Sequence, residues 1–292
     1  MNTQTLLHVL RWRNELEALQ HLAESLRQGG CVPQQGDGYV YAAGEVPVLL
    51  VAHVDTVHRT APTELYYDQQ AHVLWSPQGL GADDRAGVWA ILEVLRTGRR
   101  PHVLFTDGEE EGGWGAANAA RALRPNVHCV VELDRRGADD AVYYGCGNAD
   151  IRRWVAAFGF AEARGTFTDI SVLCPAWDVA GVNLSVGYYR EHTHTEYLRV
   201  NETLQTIDRV CRMLDAAPAV RWPYEGTGLG HLLHGFSSRR ANRQGHAYGD
   251  AETYVEGVIC PRCLSREVYV AYAGLYTCGV CHTWWEEHVE EV

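Results

Sequence analysis

The sequence has no hydrophobic run as long as a membrane-spanning helix, which needs about 20 residues. Its first residues lack a basic segment followed by an unbroken apolar stretch, so we expect no signal peptide. Basic residues are also scarce, because 25 Lys and Arg stand against 37 Asp and Glu and give a net charge of −12. That balance argues against a general nucleic-acid-binding surface. These absences predict a cytoplasmic protein that acts on neither membranes nor nucleic acids.

The length of 292 residues is enough for one large domain and an appendage. Hydrophobic residues make up 46% of the chain, which is usual for a folded globular protein. The nine cysteines are divided unevenly: five occur singly between Cys31 and Cys211, and four form two pairs near the C-terminus. Single thiols without a signal peptide indicate a reducing compartment, in which they serve as small buried hydrophobic residues.

The most informative stretch is an apolar run from Val46 to Ala52 that ends at His53 and is followed by Asp55. Such a run predicts a strand that is buried on both faces of a helix-covered sheet. Side chains alternate along an extended chain, so His53 and Asp55 should point the same way. The imidazole can then bind a metal ion while the carboxylate orients it.

Further acidic or histidine residues follow similar apolar runs later in the chain, namely Glu109, Glu110, Asp134 and His192. Strands alternate with helices throughout, which predicts the α/β class and a three-layer α/β/α sandwich. Ligands bind such sheets in the crevice at the carboxyl ends of the strands, and Asp83, at the start of a predicted helix, can face the same crevice. Histidine and carboxylates together suit zinc, manganese or cobalt.

Two metal ions about 3.5–4 Å apart need a bridging carboxylate, terminal ligands and a free base for the water, and the sequence offers each of these. Taken singly, however, every cluster has another explanation. The pair His53 and Asp55 is a common chance combination, Asp83-Asp84 is a usual helix cap, and Glu109 to Glu111 is a usual solvated turn. Asp134 alone is an ordinary residue at the end of a strand. The two-metal hypothesis therefore depends on the order and spacing of the clusters.

That order resembles the co-catalytic di-zinc exopeptidases, which include peptidase T, the glutamyl and tetrahedral aminopeptidases, acetylornithine deacetylase and succinyl-diaminopimelate desuccinylase. The resemblance extends from about Leu6 to Ala216 and includes motifs in the order that the family has. These motifs are His53-Val-Asp55, Gly81 to Gly87, Glu109-Glu110 with Gly112 and Gly115-Ala116 after it, Asp134, and Asn183 to His192 followed by Glu196-Tyr197.

The resemblance implies a role for each of these residues. One zinc ion would be held by His53, Asp134 and Asp83, and the other by Asp83, Glu110 and His192, so that Asp83 bridges the pair. Asp55 would orient His53, and Glu109 would be the general base. His194 is the alternative to His192, and Thr168-Asp169 resembles a pair of supporting residues that do not bind the metal.

The implied reaction is the hydrolysis of an amide bond in a peptide, with a bridging water between two zinc ions and Glu109 as its base. Manganese or cobalt could replace the zinc. An aminopeptidase is the favoured prediction. An N-acyl amino acid deacylase on the same site and a non-catalytic binding protein are the alternatives. Tyr189 and Arg190, beside His192, are predicted substrate contacts, although the sequence does not reveal whether they meet a free amine or a carboxylate.

The chain departs from the family in two places. Peptidase T and the deacetylases have a lid and dimerisation domain between the aspartate ligand and the last histidine, whereas here only residues 135–191 lie between them. We therefore expect no lid domain and a core closer to the compact aminopeptidases. In addition, Asp107 stands two places before Glu109 rather than next to it.

The composition changes after Pro218, which predicts a catalytic domain at 1–218, a flexible linker at 219–255 and a small C-terminal module at 256–292. Two cysteine pairs, Cys260 with Cys263 and Cys278 with Cys281, have the spacing of a four-thiolate zinc ribbon and predict one structural zinc ion. Disulfide bonds are the alternative. Acidic residues outnumber arginines in the module, which disfavours nucleic acid as its partner and favours protein contact or self-association.

Overall fold

The computed structural model describes residues 3–165 and 167–226 and, beyond them, four short strands. The helices are α1 (Thr3–Val9), α2 (Glu15–Gln28), α3 (Ala82–Arg96), α4 (Trp114–Ala122), α5 (Ala149–Ala157), α6 (Ile170–Trp177) and α7 (Val200–Asp215). The strands up to residue 199 are β1 (Pro33–Gly36), β2 (Tyr39–Ala42), β3 (Val46–His53), β4 (Tyr66–Asp68), β5 (Val73–Trp75), β6 (Pro101–Thr106), β7 (Cys129–Arg135), β8 (Asp140–Val142), β9 (Ala161–Ala163), β10 (Gly181–Ser185), β11 (Tyr188–Tyr189) and β12 (Tyr197–Arg199).

A mixed eight-stranded sheet forms the middle layer, in the order β1-β2-β6-β3-β7-β10-β8-β9. The predicted central strand, β3, runs parallel to β6 on one side and to β7 on the other, and β10 runs parallel to β7. Parallel neighbours bring their carboxyl ends to one edge of the sheet. The residues that end or follow β3, β6 and β7 therefore meet at this edge, which is where the sequence places its acidic and histidine clusters.

Strand β3 is buried on both faces, as its unbroken apolar run predicts. Val48, Leu50 and Ala52 belong to the core that packs against α1, α2, α3 and α7. Leu49 and Val51, which point the other way, belong to the core that packs against α4 and α6. With helices on both faces of the sheet, the predicted three-layer α/β/α architecture is confirmed.

A second, four-stranded sheet has the order β11-β12-β5-β4. The mixed pattern of residues 60–78 predicts a hairpin, and this sheet contains it as β4 and β5, in which Tyr66 pairs with Trp75. Strands β11 and β12 stand on either side of the loop that carries His192, and their pairing of Tyr188 with Leu198 closes that loop. This sheet therefore fixes the last of the predicted metal ligands.

The first helix is shorter than the sequence pattern predicts. The helical spacing of Leu16, Leu19, Leu22 and Leu26 predicts a single helix from about Thr5 to Arg27, but the structure has α1 and α2 with a break around Trp12. Asn14 ends the break, because its side chain accepts a hydrogen bond from the backbone N of Glu17 at 2.9 Å and so caps α2. Leu16, which the pattern placed on the buried face, is 66% exposed. The cap residue therefore outweighs the leucine spacing.

The chain separates into two compact units, Met1–Phe236 and Ser237–Val292. In the first unit, residues after 218 still contact the core: the backbone N of Trp222 donates to the carbonyl of His128 at 2.9 Å. In the second unit the structure describes an antiparallel sheet of four strands, β13 (Thr253–Tyr254), β14 (Val268–Tyr272), β15 (Leu275–Cys278) and β16 (Trp284–Glu286).

The predicted cysteine ligands of the zinc ribbon lie outside the described residues. This applies to Cys260, Cys263 and Cys281 and to the side chain of Cys278, so the structural zinc stays a prediction. Most of the predicted linker also lies outside them. Among the helices that the structure does describe, none combines the length and the hydropathy that crossing a bilayer requires.

Candidate metal centre

His53 occupies the end of β3, and its ring is 1% exposed. Its Nδ1 atom lies 3.0 Å from the carbonyl oxygen of Asp55 and 3.2 Å from Oδ1 of the same residue. Both of these atoms are hydrogen-bond acceptors, so Nδ1 carries a proton and donates it. The lone pair of the neutral ring is then on Nε2, the atom that faces away from Asp55.

Two carboxylates face that nitrogen. His53 Nε2 lies 3.3 Å from Oδ1 of Asp83 and 3.4 Å from Oδ1 of Asp134. Glu109 stands slightly further away, with its Oε2 at 4.0 Å. These three acids come from the start of α3, from the end of β7 and from the loop after β6, so segments far apart in sequence converge here.

The second imidazole completes the arrangement. His192 Nε2 lies 3.1 Å from Oδ2 of Asp83 and 3.0 Å from Oε1 of Glu110. Asp83 thus directs one carboxylate oxygen at each imidazole. His194, the alternative ligand, instead packs its ring against that of His58. The structure therefore brings together all five residues that were predicted as metal ligands.

The nitrogen and oxygen atoms of this cluster are better suited to coordinating a divalent cation than to forming hydrogen bonds with one another. One Nε2 atom carries at most one proton, so it cannot satisfy two carboxylate oxygens at once. Oε1 of Glu110 is buried, and its 3.0 Å contact with His192 Nε2 does not have the alignment of a hydrogen bond. His53, Asp83 and Glu110 also present ligand atoms within 4.8 Å of one another. Imidazole nitrogens and carboxylate oxygens in this number suit zinc, manganese or cobalt.

The pKa values of the residues in this site are shifted because several acidic side chains are buried close together. Burial raises the pKa of Glu109, and the nearby negative charges of Asp134 and Asp169 raise it further. Burial alone would lower the pKa of His53, but the charges of Asp134 and Asp55 outweigh it and raise that pKa well above 6.5. Short contacts with Asp83 and Glu110 raise the pKa of His192 to about 11. All three shifts express an excess of negative charge that a cation would neutralise.

The neighbouring acid, Asp84, has a different environment. One of its oxygens lies within 4.8 Å of ligand atoms of His53 and Asp134, so it is itself a possible ligand by distance. However, its two oxygens accept hydrogen bonds from the backbone N of His53 at 3.3 Å and of Gly87 at 3.0 Å. We favour Asp83, because the carboxylate of Asp84 is occupied by the backbone. Neither aspartate has helical backbone angles, and the bond from Gly87, three residues later, is the one that a helix-capping side chain accepts.

Asp134 forms hydrogen bonds with the side chains of three residues. Thr168 Oγ1 donates to its Oδ2 at 3.0 Å, and the hydroxyl of Tyr188 donates to its Oδ1 at 3.1 Å. Its backbone N donates to Oδ1 of Asn183 at 2.9 Å. Thr168 therefore supports the cluster without joining it, which is the place that the sequence predicted for it.

Two further buried acids lie behind this support. Oε2 of Glu132 lies 2.8 Å from Thr168 Oγ1, and Asp169 accepts a hydrogen bond from the hydroxyl of Thr106. Burial raises the pKa of Asp169 to about 7. Glu132 went unnoticed in the sequence because it stands inside an apolar run, two places before Asp134, with no cluster of its own.

Glu196 is a second residue whose role the sequence did not reveal. Its side chain is 1% exposed, and its two oxygens accept hydrogen bonds from the backbone N of Gly81 at 2.7 Å and of Asp83 at 2.9 Å. His58 Nε2 lies 3.3 Å from the same carboxylate. Glu196 thus fixes the backbone that presents Asp83. The pair Glu196-Tyr197 was visible as a motif, but nothing in it indicates a partner more than 100 residues earlier.

Replacing Glu196 by glutamine should weaken metal binding in the core by about 10- to 100-fold, the usual effect of losing a residue that orients a metal ligand. The amide group can accept only through its one oxygen, so one of the two backbone N–H groups loses its partner. Titration of the metal-free protein with zinc measures the effect. Glu202→Gln is the matched control, because Glu202 accepts from the hydroxyl of Tyr189 and from Arg199 instead. Equal zinc affinities in the two variants would contradict this role.

A small cavity of about 130 Å³ opens over the cluster. Its lining residues are Asp83, Glu109, Asp134, Arg135, Arg136, Tyr144, Phe167, Tyr188, Glu191 and His192. Of the two predicted substrate contacts, Tyr189 turns its hydroxyl to Glu202 at 2.6 Å and stacks its ring on Tyr197. Arg190 is exposed. Neither is among the described residues that line this cavity.

Asp107, beside this centre, provides a test of the local electrostatics. Burial raises its pKa to about 7, with help from the charges of Asp55 and Glu15 and, more weakly, Glu111. A carboxyl group whose pKa is higher in the folded than in the unfolded protein lowers stability as the pH rises between the two values.

Asp107→Asn should therefore raise the free energy of unfolding more at about pH 8 than at about pH 4. The difference should be on the order of 1–2 kcal/mol, since the group is only half-buried and solvent screens part of the effect. Denaturant unfolding at the two pH values measures it. The same gain at both pH values would contradict the raised pKa.

Comparisons with known proteins agree with this geometry. Residues 39–160 match the profile of Peptidase family M28. No curated protein sequence matches the chain significantly. Among solved structures, aminopeptidase PepT from Bacillus cereus ATCC 10987 is 15% identical with a TM-score of 0.60, over 73% of this chain and 97% of that one. A tripeptidase from Staphylococcus aureus subsp. aureus Mu50 is 13% identical with a TM-score of 0.61, over 73% and 97%.

A glutaminyl cyclase from Porphyromonas gingivalis also matches, at 17% identity and a TM-score of 0.52, over 72% of this chain and 95% of that one. At these identities a likeness to a solved structure establishes the fold, and the family profile covers the segments that contain His53, Asp83, Glu109, Glu110 and Asp134. The predicted resemblance to the zinc exopeptidase superfamily is confirmed, and the family match over residues 39–160 together with the fold supports a metal-dependent peptidase.

Proposed function

We propose that this protein is a di-metal aminopeptidase that removes residues from the free amino end of a peptide. The observation that carries the proposal is the position of Asp83, whose two oxygens face His53 at 3.3 Å and His192 at 3.1 Å. A carboxylate shared in this way is what a two-metal site needs as its bridge. We assign His53 and Asp134 to one ion and Glu110 and His192 to the other.

Two such ions would lower the pKa of a water molecule and polarise the carbonyl group of the scissile amide. Glu109 is suited to the proton transfer. It lines the cavity over the cluster, and burial together with the nearby carboxylates raises its pKa, which makes its carboxylate a stronger base. It would take the proton from the attacking water and then donate it to the nitrogen of the leaving amine.

Asp55 acts in this proposal as a positioning residue. Its oxygens accept hydrogen bonds from the backbone N of Glu109 at 3.2 Å and of Glu110 at 3.0 Å, and Oδ1 also accepts from His53. One carboxylate thus fixes one ligand from β3 together with the turn that carries the base and a second ligand. This explains why His53 and Asp55 occur as a pair.

A free amino end as the substrate group is supported by the names of the solved relatives, an aminopeptidase and a tripeptidase. The test begins with metal-depleted protein reloaded with zinc, manganese or cobalt. Zinc loading should give about three ions per chain, two in the core and one in the C-terminal module. A variant with Cys260 and Cys263 replaced by serine should lose one ion and keep two.

The loaded protein is then given peptides with a free amine, the same peptides N-acetylated, N-acetyl amino acids, and peptides that begin with glutamine. We expect release of the first residue from the free peptides and none from the acetylated ones. Hydrolysis confined to N-acetyl amino acids would identify a deacylase instead, and loss of ammonia from glutaminyl peptides would identify a cyclase. Full metal loading without any reaction would indicate a binding protein.

A further inference from the structure

A second, larger cavity of about 540 Å³ lies beside the candidate metal centre. Its walls come from the segment between α1 and α2, from the loop after His53, and from the turn that follows β6. It touches the centre at Asp55 and Glu110, but it shares no lining residue with the small cavity over the cluster. Its volume is in the range of small-molecule sites, roughly 300–1,000 Å³. The proposed reaction makes no use of it.

The cavity has a buried cation in its wall. Arg85 is 4% exposed, and its Nη1 donates to the carbonyl oxygens of Leu10 at 3.1 Å and Trp12 at 2.9 Å. Nε donates to the carbonyl of Val54 at 3.4 Å. The remaining nitrogen, Nη2, has no partner among the described residues, yet it is not sealed from solvent. Arg85 also forms no ion pair with a described acidic residue, so it presents charged N–H groups to a ligand.

Acidic groups occupy the same cavity. Glu15, Asp107 and Glu111 line it, and none of them forms an ion pair with a described basic residue. Glu15 is close enough to both Arg85 and Asp107 to influence each electrostatically. The cavity therefore offers charges of both signs that the protein itself leaves uncompensated. A ligand with a single charge would be attracted by the cavity groups of opposite charge and repelled by those of the same charge.

The indole ring of Trp114 provides an apolar wall. It packs against Gly108, which has a φ of +75°, and a Cβ atom at that position would overlap the ring. The ring therefore depends on glycine for its place in the cavity wall. An aromatic face of this kind covers an aliphatic side chain and also attracts an ammonium group.

We propose that this cavity binds a small zwitterion of the α-amino acid class, with its carboxylate at Arg85, its ammonium at Glu15 and Asp107, and its side chain along Trp114. Guanidinium groups bind carboxylates through charge-assisted hydrogen bonds, and the two N–H groups of Arg85 Nη2 have no other partner among the described residues. The choice of a free amino acid rests on the proposed function, since such an enzyme releases one in every turnover. A ligand here would contact Asp55, which positions His53 and Glu109, so the product could regulate the centre that makes it.

The test measures binding to the metal-depleted full-length chain by calorimetry, so that neither metal nor turnover contributes. The probes are L-leucine, L-glutamate and L-arginine, with leucine amide and N-acetyl-leucine as singly charged counterparts. We expect at least one free amino acid to bind, and each singly charged leucine derivative to bind at least about tenfold more weakly than leucine, because one charged hydrogen bond is lost. Equal binding of leucine and its derivatives, or no binding of any amino acid, would overturn the proposal.

Variants locate the site. Asp107→Asn and Glu15→Gln should each weaken binding of the best amino acid about tenfold, whereas Tyr144→Phe, in the small cavity, should leave it unchanged. Arg85→Lys tests the cation directly. If that variant fails to fold because the carbonyls of Leu10 and Trp12 lose their donor, Asp107→Asn and Glu15→Gln still show whether the ligand binds in this cavity. Weakening by Tyr144→Phe alone would place the ligand over the metal cluster and refute the second site. Because this readout needs no hydrolysis, its outcome is independent of whether peptides are cleaved.

Discussion

Glu109→Gln is expected to lower kcat by about 100- to 10,000-fold, the usual contribution of a general base, while the core keeps both metal ions. The amide cannot accept the proton of the attacking water, but it has nearly the shape of the carboxyl group. Glu109 is also the one acid of the cluster that stands back from the imidazole, at 4.0 Å from His53 Nε2. Its loss should therefore affect the reaction and spare the metal. Steady-state kinetics and metal counting on the same sample measure both effects.

Glu93→Gln is the matched control for this variant. Glu93 is also a buried glutamate, at 5% exposed, but it belongs to α3 and pairs with Arg96 on the same helix. Its replacement should leave kcat and the metal content unchanged. Near-normal turnover by Glu109→Gln would remove Glu109 from the role of base. A loss of metal from that variant would identify Glu109 as a ligand instead.

Asp83→Asn is expected to reduce the metal content of the core from two ions to one at most and to abolish measurable hydrolysis. Bridging requires negative charge on both oxygens, and an asparagine offers one neutral oxygen only. His53 and His192 would each lose their shared carboxylate partner. Metal counting, together with activity after reloading in excess zinc, measures the effect.

Asp84→Asn gives the comparison that decides between the two adjacent acids. The carboxylate of Asp84 accepts from the backbone of His53 and Gly87, so its replacement should keep the metal count. If Asp84→Asn lost an ion and Asp83→Asn kept both, the bridge would have been assigned to the wrong aspartate. Circular dichroism on both variants excludes unfolding as the cause of metal loss.

The sequence was sufficient to predict which segments meet at the centre. A buried strand is largely apolar on both faces, so a charged residue that closes such a run, as His53 and Asp134 do, indicates where the strand reaches the edge of the sheet. Parallel pairing of β3, β6 and β7 then brings those ends together. These are consequences of periodicity and topology, and both can be obtained from the order of residues alone.

The supporting residues could not be predicted in the same way. Glu196 binds the backbone of Gly81 and Asp83 more than 100 residues earlier, and such a contact leaves no trace in local spacing. The cavity beside Asp55 depends on the break between α1 and α2, where the cap at Asn14 overrides the leucine pattern. Arg85 lines it from the first turn of α3, directly after two non-helical residues. Each feature depends on tertiary packing, and tertiary packing outweighs local preference.

The position of β10 within the large sheet has a consequence for how the chain folds during synthesis. Strand β10 lies between β7 and β8, although it follows both of them along the chain, and β9 joins the sheet only through β8. The strands of this half of the sheet therefore cannot all pair until residue 185 has left the ribosome, and His192 emerges only after that. Non-local pairing of this kind is slow and exposes unpaired strand edges. The nascent chain would thus acquire His192, the last histidine of the candidate centre, shortly after the strand that joins β7 to β8 in the large sheet.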